Sequence, residues 1–169
     1  ATLSRAERGK LEVDIEPINP HDLLHDLLGL YEPQAAEKGL KLKGTTDPEL
    51  VLLYSSKLYV REILQNFITN AIKYTQSGSV HISAHNHAKG TLFEVTDTGI
   101  GISKADKDKV FDKFFRSEDF RTRQSSGTGL GLYVTMKLAR LIHAEIDLES
   151  ELNKGSTFSI VFPSLEPKK

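Results

Sequence analysis

Five of the chain's 12 glycines fall in two short runs, Asp97-Thr98-Gly99-Ile100-Gly101-Ile102 and Gly127-Thr128-Gly129-Leu130-Gly131-Leu132. Glycine at this density lets the backbone approach another segment or a ligand more closely than a Cβ allows, and it permits positive φ. The first run closes an alternating stretch, Leu92-Phe93-Glu94-Val95, and the second opens a helical pattern from Leu130 to Ile142. Upstream, Asn66 and Asn70 stand four apart on a helix, so their side chains share one face. Each feature alone is weak. Together, in this order, they predict one site assembled from three separate segments.

The rest of the chain supplies a scaffold of alternating helices and hairpins. Leu11-Glu12-Val13-Asp14-Ile15 has the period-2 pattern of a half-buried strand, with Pro17 and Pro20 as punctuation. From His21 to Lys38, residues Leu23, Leu24, Leu27, Leu28 and Tyr31 fall at helical spacing, and Gly39 stops the helix. Leu40–Thr45 and Leu50–Tyr54 read as strands around an Asp47-Pro48 turn. Ser55 and Ser56 can cap a long helix from Lys57 to about Tyr74, whose apolar face is Val60, Ile63, Leu64, Phe67, Ile68, Ala71 and Ile72. Ser79–Asn86 and Thr91–Thr96 form a hairpin across Lys89-Gly90, Ser103–Phe115 carries a short helical segment, and 146–148 pairs with 156–162. Ser117–Ser126 is polar and reads as an exposed mobile loop; residues 164–169 read as a flexible tail. The alternation predicts an α/β fold, a two-layer sandwich with a mixed sheet.

Composition narrows the function. With 22 basic and 23 acidic residues, nothing suggests bulk binding to nucleic acid. The absence of cysteine excludes disulfides, thiolate metal sites and cysteine nucleophiles. No apolar run approaches 18 residues and no signal-peptide pattern opens the chain, so it reads as soluble, with Ala1 a cut rather than a natural start. Ala1–Lys10 resembles the tail of a helix begun upstream.

The site residues carry a chemistry. A carboxamide oxygen is a hard neutral ligand suited to Mg²⁺. Lys73 and Tyr74 follow one turn on, where an ammonium can meet a phosphate and a phenol can pack on a base. Asp97 at a strand end can accept a hydrogen bond from the exocyclic amine of adenine. The second glycine run precedes a helix, whose free N–H groups and positive dipole end favour phosphate. Against these stand ordinary readings: a solvated helix face for the asparagines and a plain Asp-Thr-Gly turn for Asp97. Neither Gly-x-x-x-x-Gly-Lys nor Gly-x-Gly-x-x-Gly behind a strand fits. His81, His85 and His87 share a strand face, and a solvated hairpin is the better reading than zinc.

In sequence the chain resembles the catalytic and ATP-binding domain of sensor histidine kinases, within the wider family of gyrase, mismatch-repair and heat-shock-chaperone ATPases. Arg61–Thr75 is similar to the N box, Asp97–Gly101 to the first glycine box, Phe111–Arg116 to the F box, Gly127–Leu132 to the second glycine box and Gly155-Ser156-Thr157-Phe158 to the closing hairpin. The resemblance covers residues 10 to 163. It implies a Bergerat fold, a mostly antiparallel sheet covered by about three helices on one face. Residues 1–10 would end an upstream helical dimerisation and phosphoacceptor region, and 11–163 would be the ATP-binding kinase domain.

It also implies roles. Asn70 would hold Mg²⁺ with Asn66 nearby, Lys73 and Arg116 would contact phosphates, Tyr74 the nucleotide and Asp97 the adenine amine. Asn66, Lys73 and Arg116 would serve phosphoryl transfer. Gly99, Gly101, Ile102, Gly127, Thr128, Gly129, Leu130, Gly131, Leu132 and Thr157 would complete the ATP site, with 117–126 as its lid. Ser56 stands where many relatives have aspartate; both cap helices. His21-Asp22 and His25-Asp26 lack the Arg-Thr-Pro continuation of a phosphoacceptor motif and read as ordinary helix residues, so the acceptor histidine lies outside this chain. The implied partners are the parent's own dimerisation domain and a response-regulator receiver domain. The parent would be a homodimer, the isolated domain a monomer. Its place would be cytoplasmic, with a membrane anchor on the parent left open. Two rivals remain: an ATPase or serine kinase of the same superfamily, which the hydrolases' glutamate in place of Asn66 argues against, and a non-catalytic nucleotide-sensing module.

Overall fold

The computed structural model describes residues 13–113, 115 and 131–166. Within them the order is β1 (Glu16–Ile18), α1 (Pro20–Glu37), β2 (Lys41–Thr46), β3 (Leu53–Ser55), α2 (Lys57–Lys73), β4 (Ser79–His87), β5 (Gly90–Asp97), α3 (Lys104–Lys107), α4 (Gly131–Leu141), β6 (Glu145–Glu151) and β7 (Gly155–Phe162). Five strands form one sheet in the order β2-β4-β5-β7-β6, and β1 pairs with β3 in a separate two-stranded ribbon. Only β2 and β4 run parallel; the other pairings are antiparallel. This is the expected mixed, mostly antiparallel α/β sandwich.

Strand alternation sorts the sheet into two faces. Val80, Ile82, Ala84, Phe93, Val95, Phe158, Ile160 and Phe162 point inward and are buried. Their neighbours His81, Glu94, Thr96, Thr157 and Ser159 lie on the other, wetter face. The inner face meets α2, whose predicted apolar stripe is buried without exception and extended by Tyr59. Phe67 of α2 stacks on Phe158 with centroids 5.2 Å apart, and Phe111 meets the same ring edge-on at 6.2 Å. Each such side chain, fully buried, contributes about 1.5–3 kcal/mol, which is why α2 can sit so firmly across the sheet.

Caps set the helix boundaries. Ser56 Oγ accepts the Tyr59 N–H at 3.1 Å, and Asn19 caps α1 with Pro20 at its first turn. Pro20 therefore opens the helix rather than merely preceding it, since its missing N–H costs nothing there. At the other end of α1, Lys38 Nζ donates to the carbonyls of Ile72 and Lys73 at 2.7 and 3.1 Å, capping α2.

Two expectations are corrected. The first strand lies at Glu16–Ile18, and Val13–Ile15 is irregular; pairing needs a partner, and β3 offers its edge opposite Glu16, Pro17 and Ile18. Pro17 is tolerated inside the strand because the ribbon is an edge. The short helical segment expected within 103–115 is a single turn, α3, capped by Ser103 and followed by further turns through Lys113. Ser164 and Leu165, expected in the tail, bond to β3 through Tyr54 N–H to Ser164 Oγ (3.1 Å) and Leu165 N–H to Tyr54 O (2.6 Å). No described helix is long and apolar enough to cross a membrane.

The predicted histidine residues occupy separate niches. His21 and His25 stack on the exposed side of α1. His81 meets Thr45, His87 accepts the Lys89 N–H, and His85 bonds Asp47 at 2.9 Å. That bond and the Asn86 N–H hold the Asp47 carboxyl below its ordinary range. Among the described residues no three histidine or carboxylate groups come together for a metal.

Candidate nucleotide-binding site

The C-terminal half of α2, the first glycine loop and the start of α4 converge at one end of the sheet. Asp97, the last residue of β5, is 7% exposed. Its Oδ1 accepts the Gly99 N–H at 2.9 Å, and the Ser156 N–H adds a second bond. Burial pushes its pKa above the ordinary carboxylate value, and the two backbone bonds oppose that shift. A buried carboxylate with only neutral donors on it retains lone pairs for a further donor, which suits an exocyclic amine.

The loop after Asp97 is locked to its surroundings. The Ile100 N–H donates to Tyr74 O at 3.1 Å, at the C-cap of α2, and Gly99 passes so close that a Cβ there would overlap the Tyr74 carbonyl and crowd Thr75 Oγ1. Gly101 adopts φ +68° against the Glu151 carbonyl, a conformation and a gap that glycine fits. Asn153 N–H binds Ile100 O at 2.6 Å and Ile102 N–H binds Ser150 Oγ at 2.8 Å, tying the loop to the β6–β7 hairpin. These N–H groups are committed within the protein. Ile102, expected at the ATP site, holds the loop through its N–H and packs its side chain against the core.

On α2, Asn66 and Asn70 are half-buried on one face as expected. Asn66 Nδ2 donates to Gly131 O at 2.7 Å and to Thr135 Oγ1 at 2.6 Å, so the first asparagine also docks α4. Lys73 Nζ lies 5.3 Å from the Tyr74 ring centroid, placing the predicted cation and phenol side by side. Leu132 is packed against the core. Arg116, Gly127, Thr128, Gly129, Leu130 and the expected lid at 117–126 lie outside the described residues.

Thr157, expected at the ATP site, lies on β7. It faces Thr96 across the sheet, with their hydroxyls 3.0 Å apart, on the side away from the Asp97 carboxylate. Its neighbour Ser156 pairs with Asp97, is buried, and bonds Ser150 Oγ at 2.7 Å. Alternation from the inward Phe158 would have placed Ser156 inside; the motif alone did not say which residue turns inward. Sequence reasoning also missed Ser150, Lys38 and Thr135, whose contacts link segments far apart in the chain.

Residues 56–166 match the family model described as histidine kinase-, DNA gyrase B- and HSP90-like ATPase. The chain belongs to this family. It is similar to the autoinducer 2 sensor kinase/phosphatase LuxQ of Vibrio vulnificus, 32% identical over 167 residues, covering 95% of this chain and 20% of LuxQ. It is 37% identical over 163 residues to the aerobic respiration control sensor protein ArcB of Escherichia coli, covering 94% of this chain and 21% of ArcB. Full-length ShkA, solved in complex with AMPPNP, superposes with a TM-score of 0.85 at 26% identity, over 99% of this chain and 35% of ShkA. This ATPase-family domain thus spans about a fifth of the length of the curated sensor kinases it matches.

Proposed function

We propose that this chain is the ATP-binding catalytic domain of a sensor histidine kinase, which directs the γ-phosphoryl group of Mg-ATP to a histidine on a separate dimerisation domain, for relay to a response-regulator aspartate. The observation that carries it is the buried Asp97 carboxylate, held by backbone donors beside an α2 face that carries two carboxamides and no carboxylate at Asn66 or Asn70. Asp97 would select adenine, whose amine is a donor where guanine has none. Asn70, a neutral oxygen donor, fits Mg²⁺. The bound metal would neutralise phosphate charge and orient the transferring group. Lys73, and Arg116 beyond the described residues, would hold the phosphates, and Tyr74 would pack on the nucleotide. Ser156, beside Asp97, joins the adenine end of the site. The chain's contribution is positioning and charge, as in other phosphoryl transfers. The parent would be a homodimer with this domain on its cytoplasmic side.

The test is transfer of label from γ-labelled ATP. With a separately supplied dimerisation domain, acid-labile phosphohistidine should form on that domain. Without it, hydrolysis should be far slower than about 1 per second, an ordinary enzyme rate, because Asn66 cannot act as a carboxylate base for water. Rapid multiple-turnover hydrolysis with no transfer would instead identify an ATPase. ATP binding with neither activity would identify a sensing module.

Asn70→Ala should separate the metal from the base. Removing a metal ligand is expected to weaken Mg-ATP binding strongly while leaving metal-free nucleotide within about twofold, since the Asp97 contact is untouched. Calorimetric titrations with and without Mg²⁺ read the difference, and equal losses in both would remove Asn70 from the metal site.

A further inference from the structure

Thr135 lies on the first turns of α4, is only 1% exposed, and carries a hydroxyl that an amphipathic helix would normally turn to water. Here the hydroxyl donates to Gly131 O at 2.9 Å, the carbonyl one turn back. The Asn66 carboxamide closes a triangle, with Nδ2 2.7 Å from Gly131 O and 2.6 Å from Thr135 Oγ1.

Donor and acceptor rules settle how this triangle must be wired. Gly131 O can only accept. The single Thr135 proton is spent on it, so Oγ1 faces Asn66 with lone pairs. Both partners of the carboxamide are then acceptors, and only its NH₂ edge can meet them. Turned the other way, Oδ1 would oppose two oxygens. With both amide hydrogens committed, Oδ1 is the one atom of Asn66 left to meet a ligand, and it can only accept.

We propose that Thr135 is a positioning residue of the nucleotide site, fixing Asn66 so that its carboxamide presents oxygen rather than nitrogen to Mg-ATP and tying α2 to the last glycine of the second glycine run. This rests on the functional reading above. An outward amide nitrogen would repel a bound cation or its waters, whereas an outward oxygen accepts their hydrogens, so the orientation matters most when metal is present. The stiff β-branched side chain suits the task, because its χ1 freedom is already restricted in a helix.

The experiment uses the 169-residue chain with Thr135→Val, which keeps shape and removes the hydroxyl, and Thr135→Ser, which keeps the hydroxyl. Calorimetry with Mg-ATP and with metal-free ADP reads the effect. Valine should weaken Mg-ATP roughly tenfold, the scale of one buried hydrogen bond, and leave metal-free ADP within about twofold. Serine should restore the affinity. In an Asn66→Ala background, valine should cost nothing more. Equal losses for both nucleotides, failure of serine to rescue, or additivity with Asn66→Ala would overturn the proposal and leave a merely structural threonine. Loss of the nucleotide reading itself shows differently, as Asp97→Asn without effect on either ligand, and the proposal falls with it. Should the valine variant not fold, the parent chain decides by NMR. The Asn66 side-chain amide hydrogens should exchange with water much more slowly than those of exposed asparagines, and equally fast exchange refutes the triangle.

Discussion

Asp97→Asn is expected to lower adenine-nucleotide affinity by tenfold or more while the domain remains folded. The lost bond joins a buried, charged acceptor to a neutral donor, and such bonds contribute about 1.5–3 kcal/mol. The amide also presents a possible donor where the adenine amine needs an acceptor. Folding should survive because the native carboxylate is itself held at a cost. Burial is the dominant influence and raises its pKa, with the Gly99 and Ser156 N–H groups offsetting part. An acid with a raised folded pKa binds more protons folded than unfolded. Its contribution to stability is therefore fullest at low pH and declines as pH rises through the folded value. Neutralising the group removes that decline. Calorimetry with ATP and ADP, paired with thermal melts across pH, checks both halves. Unchanged affinity for both nucleotides would remove Asp97 from the adenine site.

Gly99→Ala should do more damage, to fold and site together. The added methyl would run into the Tyr74 carbonyl and Thr75 Oγ1. Neither can retreat: Tyr74 is the C-cap of α2 and its oxygen holds the Ile100 N–H, while Thr75 is fully buried with its hydroxyl on Ala71 O at 2.7 Å. Overpacking at a site with no slack costs about 3 kcal/mol, a fall in Tm of roughly 6–12 °C for a domain this size. The loop must also move, taking with it the Gly99 N–H that orients Asp97. Nucleotide binding should drop at temperatures where the variant is still folded. A melt within about 2 °C of the parent, well under that expectation, would mean the loop has room the structure does not show.

Much of this was legible in one dimension, because it depends on local physics. The stripe from Val60 to Ile72 predicts both the helix and its buried face, since the 3.6-residue period is written in the residues themselves. Ser56 announces the start of α2, and alternation locates β4, β5 and β7 to within a residue or two. The ordered motifs of α2 and the first glycine loop nominate Asn66, Asn70, Lys73 and Asp97 for one site, and the Ile100 N–H bond to Tyr74 O joins those two segments. Other features have no local signature. Which of Ser156 and Thr157 turns toward Asp97 follows from register with β5, a pairing between residues 59 positions apart in the chain. The first strand moved to Glu16–Ile18 because hydrogen bonds need a partner edge, and alternation exists with or without one. Lys38, Ser150 and Thr135 read as ordinary polar residues until folding brings a bare carbonyl, a loop N–H or the Asn66 amide within bonding distance. The sequence by itself determined the elements, the core and the chemical types at the site, because propensity and periodicity act within a few residues. Only the tertiary structure decided which polar groups face one another, because satisfying a buried donor or acceptor is a constraint between segments, and it is met only once they are packed.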